Sequence, residues 1–432
     1  MHTYWLGTQS IIALTDYDLI KKHIINDGEK YVNRSGIGDL MQEYLGGDFG
    51  IVSSMGDLWR EQRRLTVHIL RDFGMGRNVM EERVMIEVDF LLERLQSLKS
   101  GIAMQNEFDV AVGSVINNIL FSYRFDEAHM DEFILMKTSL RDLVKVVMNP
   151  TFLIAAMQPK LRGLPPFKGL FQKFYSARDA LLTGIRGQIA EKRKVVNYDS
   201  EESDDFVEAY LKEWERKKGT DQEAFYFDQQ LVAVVLDVWG AGMETTSNTL
   251  TWAVCYILNT PHVQPKMHEE LDRVIGCERK VEWADRNALP YMNAVISETQ
   301  RLANLLPNNL GRVTTADTVI EGYRIPAGQA ISPQISCVLY NDEIFPEPYS
   351  FKPERFINSD GSYKRYEEFI PFSVGKRACP GEGLARIELF LFLANVFQRF
   401  KVSSDQKPSM EKIAGSVVTA HPYNCNMEVR HN

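Results

Sequence analysis

The sequence predicts a mainly α-helical fold with a small β region. Three observations carry that expectation. Apolar residues recur at three- and four-residue spacing through a succession of long stretches, the pattern of helices that bury one face. Two-residue alternation is confined to short runs near the N-terminus, around residue 320 and at the C-terminus. No linker divides the 432 residues, so a single domain over residues 1–432, large enough to enclose a buried cofactor, is expected.

Charged residues make up 25% of the chain and hydrophobic ones 44%, a globular balance that excludes disordered and fibrous classes. The net charge of −9 argues against nucleic acid as a partner, because phosphate backbones select basic surfaces. Cys255, Cys277, Cys337, Cys379 and Cys425 are odd in number and lack C-x-x-C spacing, which points away from zinc sites and disulfide frameworks and towards a reducing compartment. No apolar run reaches transmembrane length, and the opening MHTYWLGTQS lacks a signal peptide's charged and apolar regions, so a soluble chain is expected.

Taken in order, Thr3 to Leu6 and Ser10 to Thr15 alternate about Gly7 and predict a hairpin, followed by an amphipathic helix from Asp16 to Ile25. Gly36 to Ser54 mixes glycine with Leu40, Met41, Tyr44, Phe49 and Ile51, the composition of a mobile apolar loop. Helices are predicted over Asp57 to Leu70, Val79 to Leu98, Val110 to Tyr123 and Met130 to Met148. Pro150 to Phe171 breaks that pattern with repeated prolines among apolar residues. A helix over Phe171 to Lys194 leads to the acidic loop Asn197 to Asp205, and a long apolar helix spans Phe227 to Leu258. Thr318 to Pro333 reads as a hairpin, Leu384 to Phe400 as a helix, and Lys401 to Arg430 as β-like alternation with a turn at Val417 to Thr419.

Phe372 to Gly383, FSVGKRACPGEG, gives Cys379 a setting suited to a metal ligand. A thiolate is stabilised where backbone N–H groups and a helix N-terminus face it. Gly375, Gly381 and Gly383 permit close backbone approach, and Pro380 fixes a turn before the following helix. The loop can then lie flat against a planar ligand, with Phe372 shielding the sulfur and Arg377 meeting an anionic group at the ligand's edge. An isolated cysteine is more often a buried structural residue, and the surrounding pattern is what sets Cys379 apart. Phe372-x-x-Gly375-x-Arg377-x-Cys379-x-Gly381 resembles the haem-binding signature of the cytochrome P-450 superfamily, in which the thiolate is the axial ligand of haem b.

Other segments match that family in the expected order. Trp59 and Arg63 lie four apart on one helix face and resemble its Trp-x-x-x-Arg pair, which contacts a haem propionate; Arg312 is implied as a further propionate contact. Gly240-Ala241-Gly242-Met243-Glu244-Thr245-Thr246 puts glycines and polar groups into an apolar helix, a local conflict that points to function. It is similar to the family's oxygen-binding segment, where the helix bulges and the acid and threonine, here Glu244 and Thr245, organise waters that deliver protons to dioxygen. Glu298 and Arg301 share a helix face, and the resemblance joins them to Arg355 of Pro353-Glu354-Arg355-Phe356 as a buried ionic brace. Leu70 to Gly76, LRDFGMG, resembles the animal microsomal branch in particular.

The resemblance implies an N-terminally shortened P-450 fold, because microsomal members carry an anchor, a proline-rich hinge and a first helix before such a hairpin. Ala241, Leu306, Leu310 and Val418 are implied to line the substrate pocket, with Pro150 to Phe171 a flexible lid that in membrane-bound relatives dips into the bilayer. The chain shows no dinucleotide fingerprint, so electrons are expected from another protein, NADPH-cytochrome P-450 reductase, with cytochrome b5 as a second donor. Arg60, Arg64 and Arg71 suggest the docking patch. The location implied is the cytosolic face of the endoplasmic reticulum membrane, or the cytoplasm for a chain without its anchor. The activity implied is insertion of one oxygen atom from O2 into a lipophilic molecule: a fatty acid, a steroid or a xenobiotic. The alternatives are a haem-thiolate isomerase or dehydratase of oxygenated lipids, against which Glu244 and Thr245 weigh, and a non-catalytic haem carrier.

Overall fold

The chain opens with the predicted hairpin, β1 (His2–Leu6) against β2 (Gln9–Leu14), turning at Gly7 with φ of 60°. This computed structural model describes residues 1–35, 40–73 and 78–431. Gly74 to Gly76 of the LRDFGMG segment lie outside the described residues, as do residues 36–39 of the Gly36 to Ser54 segment. After α1 (Tyr17–Ile20), which Asp16 caps by accepting the N–H groups of Asp18 and Leu19, come β3 (Asn33–Arg34), α2 (Leu40–Leu45) and α3 (Gly56–Asp72). The helical body follows as α4 (Asn78–Leu98), α5 (Met104–Phe121), α6 (Met130–Val147), α7 (Pro150–Met157), α8 (Phe167–Val195), α9 (Phe206–Lys217), α10 (Asp228–Asn259), α11 (Val263–Val274) and α12 (Pro290–Ala303). Short strands β4 (Arg312–Val313), β5 (Thr318–Ile320), β6 (Tyr323–Ile325) and β7 (Ala330–Pro333) lead to α13 (Ile335–Leu339) and α14 (Glu382–Arg399). The C-terminus adds β8 (Phe400–Ser403), β9 (Lys412–Ile413), β10 (Thr419–Ala420) and β11 (Asn426–Val429).

α10 is the strut of the core. It packs against α5, α8, α12 and α14, and one continuous apolar cluster surrounds it. A five-stranded sheet, in the order β1-β2-β7-β4-β3, lies over a second cluster that includes Leu14, Ile24, Tyr31 and Ile331. Its strands come from residues 2–34 and 312–333, so pairing there joins segments distant in sequence.

Four expectations change. Gly36 to Ser54 is not wholly loop, because α2 forms within it. Pro150 to Phe171 is not helix-free either. Pro150 occupies the first turn of α7, where its missing N–H costs nothing, Asn149 accepts the N–H of Thr151 as the cap, and α8 already begins at Phe167. Glu43 on α2 ties the two segments together, accepting from Tyr175 at 2.6 Å and from Arg162 at 2.6 Å. The helix expected from Val110 starts at Met104 and stops at Phe121, where Ser122 turns left-handed with φ of 65°. Thr318 to Pro333 is one hairpin, β5 with β6, while β7 leaves to pair with β2 and β4.

Candidate active site

Cys379 sits between a 3-10 turn, Gly375–Arg377, and the N-terminus of α14. Its own N–H donates to the Phe372 carbonyl at 3.0 Å and closes the loop, and Ala378 N–H donates to Gly375 at 3.0 Å. Gly375 has φ of 75°, and a Cβ there would lie 2.1 Å from the Ile24 carbonyl oxygen, so only glycine fits. The sulfur is accessible, yet desolvation pushes its thiol pKa up, against the backbone N–H groups of Gly381 and Glu382 that favour the thiolate. Exposed as a residue yet desolvated at its thiol, Cys379 lies in a recess of the surface. Gly381, the residue capping α14, borders open space: a Cβ there would meet nothing within 4 Å. Phe372 is half-buried at the neck of the loop, with the Arg386 guanidinium 5.1 Å from its ring.

One edge of that space is lined by arginines. Arg377 is 4% exposed, stacks 3.9 Å over the Trp59 ring, and donates to the carbonyls of Val32 (2.7 Å), Ile51 (3.2 Å) and Ser54 (2.6 Å). Most of the Arg377 N–H groups therefore hold backbone. Arg63 donates to the Ala378 carbonyl at 2.6 Å, next to Cys379, and its guanidinium lies 5.9 Å from the Trp59 ring. Arg312 is 1% exposed, and β4 pairs it with Arg34 of β3. Burial and mutual repulsion push Arg377 down to about 8, Arg312 to about 9 and Arg34 to about 10. Among the described residues, Nε and Nη1 of Arg312 and Nε1 of Trp59 are buried without a partner. Buried donors are almost always satisfied, and four guanidiniums do not gather without a counter-anion. A planar ligand with acidic groups at this edge and a metal above Cys379 satisfies every one of these deficits, so the residues present fit a haem.

α10 meets the loop of residues 50–54. Asp237 of α10 accepts the N–H groups of Ile51 (2.7 Å) and Val52 (2.9 Å), the same loop that Arg377 grips. One turn on, Ala241 is exposed in mid-helix between the buried Trp239 and Met243, and a Cβ at Gly240 would meet nothing within 4 Å. The expected bulge is absent: α10 is continuous from Asp228 to Asn259. Side chains return to the backbone instead, with the Thr245 hydroxyl donating to Ala241 O at 2.9 Å and that of Thr249 to Thr245 O at 2.8 Å, bonds that keep the helix intact while placing hydroxyls beside its carbonyls. Glu244 does not face Thr245. Its carboxylate pairs with Lys137 of α6 at 2.5 Å, and Lys137 also reaches Asp109 of α5 at 3.2 Å.

Behind the Cys379 loop, Arg301 grips Glu298 with two bonds, 2.7 and 2.8 Å, and Arg355 adds a third at 3.0 Å; the Glu298 and Arg301 side chains are fully buried and that of Arg355 nearly so. Arg301 and Arg355 spend their remaining N–H groups on the carbonyls of Leu339, Pro346, Glu347 and Ser350, so the cluster ties α12 to the loops around it. Val418 is brought to the segment carrying Leu306 by its N–H, which donates to Leu305 O at 2.9 Å. Leu306 is half-buried and Leu310 is 39% exposed, two residues from Arg312.

Sequence reasoning missed Arg34, Lys137 and Glu388. Glu388 of α14 is 1% exposed, accepts from Thr246 at 3.3 Å, and burial raises its carboxyl well above the usual range. A charged residue inside the apolar run Leu384 to Phe400 was a visible signal. Arg34 and Lys137 gave none, since their partners lie 278 and 107 residues away.

Comparison with known proteins agrees with this geometry. The family model for Cytochrome P450 matches residues 1–427. The chain is 35% identical to cytochrome P450 2C39 of Mus musculus over 93% of its own length and 81% of that protein's, and 36% identical to cytochrome P450 2H1 of Gallus gallus over 93% and 80%. It is 33% identical to cytochrome P450 2C5 of Oryctolagus cuniculus over 94% and 81%. Members of this family bind protohaem through a cysteine thiolate, take electrons from redox partners and act in general on lipophilic substrates. The chain therefore belongs to the cytochrome P-450 family, in its animal microsomal branch, and is a haem-thiolate monooxygenase that binds haem b.

Proposed function

We propose that residues 1–432 act as one domain in which Cys379 is the sulfur ligand of the haem, and that the enzyme inserts one oxygen atom from O2 into a fatty acid, steroid or xenobiotic. The observation that carries the assignment is Cys379 itself, the sulfur lying in a recess edged by unpaired arginine and tryptophan donors. The haem supplies oxygen activation when bound, with thiolate donation favouring O–O cleavage. Arg312, Trp59, Arg63 and Arg34 hold the acidic edge of the cofactor, and Arg377 adds charge while fixing the loops beneath it. Phe372, Gly375 and Gly381 let the loop approach closely. Glu298, Arg301 and Arg355 keep it rigid.

On the α10 side, the Thr245 hydroxyl holds a proton beside the exposed Ala241. Glu244, on leaving Lys137 and taking up a proton from solvent, passes that proton to the hydroxyl, and Asp109 then compensates the freed ammonium. Ala241, Leu306, Leu310 and Val418 present an apolar pocket that favours substrates by shape and burial. Electrons come from NADPH-cytochrome P-450 reductase, with cytochrome b5 as a second donor. Arg60 and Arg64 of the expected docking patch are already paired, with Asp57 and Glu61. An acidic partner therefore exchanges surface ion pairs, which cost little to break. Among the described residues no helix is long and apolar enough to cross a membrane. Exposed Ile154 and Leu164, in the segment read as a lid, suit the surface of the endoplasmic reticulum membrane on its cytosolic side.

The test is the purified protein with haem, its reductase and a panel of lipophilic compounds. Reduced wild-type protein gives the thiolate-type carbon-monoxide band and one oxygenated product per O2 incorporated. Cys379→Ser retains haem through the arginines but loses that band. Turnover without reductase or oxygen would show an isomerase instead.

A further inference from the structure

β9 and β10 form a two-stranded ladder only two residues long, joined to no other sheet. So short a hairpin is not stable alone in water, so its anchors decide where its tip lies. The tip carries Val417 and Val418, 7% and 8% exposed, while Ile413 at its base is 38% exposed. Two anchors involve the tip's backbone: Val418 N–H donates to Leu305 O at 2.9 Å, and Trp252 Nε1 donates to Val418 O at 3.2 Å. The third is a side chain. Lys412 Nζ donates to the last carbonyls of α12, Leu302 at 2.7 Å and Ala303 at 2.9 Å, and meets the Tyr340 hydroxyl, which itself donates to Leu302 O at 2.8 Å.

An ammonium at the C-terminus of a helix complements both its orphan carbonyls and its dipole. Desolvation, with Arg301 just before those carbonyls in α12, pushes the Lys412 pKa down to about 8 although the residue is exposed. Among the described residues no other side chain of residues 412–420 makes a hydrogen bond, so Lys412 is the hairpin's own polar side-chain link to the rest of the fold, beside the Trp252 indole that holds the tip's backbone.

We propose that Lys412 is a positioning residue for substrate selection. By pinning the hairpin to α12, it fixes how far Val417 and Val418 project towards Leu306, and so sets the bulk of apolar substrate the pocket accepts. This rests on the reading of Val418 as a pocket residue.

The experiment uses the haem-loaded chain and three variants. Lys412→Met keeps the stem and loses the head, Lys412→Arg keeps charge and donors, and Val418→Phe alters the tip alone. Amide hydrogen exchange at Val418 is followed by mass spectrometry. Dissociation constants come from the haem absorption shift, with a graded series of apolar ligands. Exchange in Lys412→Met is expected to be about tenfold faster, with the preference between small and bulky ligands altered about fivefold, and Lys412→Arg restores both. All variants retain the thiolate-type band, which separates the effect from misfolding. Unchanged exchange overturns the clamp. Faster exchange with unaltered ligand ranking overturns its role in selection when Val418→Phe does shift the ranking. When Val418→Phe shifts nothing, the pocket assignment is what fails.

Discussion

Arg34 and Arg312 stand directly opposite each other across an antiparallel ladder, with no carboxylate among their bonding partners in the described residues. Like charges in that position destabilise a sheet. The acidic edge of a haem held there, as proposed, would offset that repulsion. Arg312→Gln is expected to leave the haem-free protein as stable or more stable, and to weaken haem retention about tenfold by removing a charge-assisted bond. Melting of both forms and transfer of haem to an acceptor protein measure the two effects. Equal loss of stability with and without haem would mean that Arg312 is merely structural.

Gly375→Ala places a methyl 2.1 Å from the Ile24 carbonyl oxygen at a left-handed φ. Loop displacement costing about 2 kcal/mol or more is expected, with loss of the thiolate-type band before loss of helix content. Circular dichroism and the reduced carbon-monoxide spectrum, recorded together, separate local from global damage.

Glu298→Ala strips two buried guanidiniums of their carboxylate. The expected loss is about 3 to 5 kcal/mol, because the uncompensated charges stay buried. Disrupting the exposed pair Lys21 and Glu367 should leave stability nearly unchanged, because solvent screens it. Denaturant midpoints of the two variants should therefore differ widely, and similar midpoints would refute the brace.

His268 on α11 is pushed down to about 4, first by burial and then by Arg430. The unfolded chain takes up a proton near pH 6.5 that the folded one refuses, so the contribution is complete above that pH and is lost as pH falls towards 4. Between pH 7 and 4.5 the expected loss is about 1 to 2 kcal/mol, reduced by partial exposure of the ring. His268→Phe should flatten this part of the stability profile. A profile as steep as the wild type assigns the slope to other groups.

Most of the fold and the central sulfur were legible because their causes are local. Cys379, its glycines and Pro380 lie within twelve residues, Trp59 and Arg63 within one helical turn, and Glu298 and Arg301 likewise, so spacing alone sets which side chains can meet. The helices of residues 78–98 and 130–147 followed from apolar periodicity. Proline misled at residues 150–171, because composition does not distinguish a proline that ends a helix from one that starts it.

Tertiary structure alone decided the rest. The sequence by itself determined a helical chain with a thiolate loop, since periodicity and turn chemistry act over a few residues. It did not determine that Arg34 faces Arg312, that Lys137 pairs with Glu244, or that Lys412 bonds the end of α12. Those pairings join segments roughly a hundred or more residues apart, and the strength of such polar contacts depends on how far packing excludes water, a condition that exists only once the helices have packed.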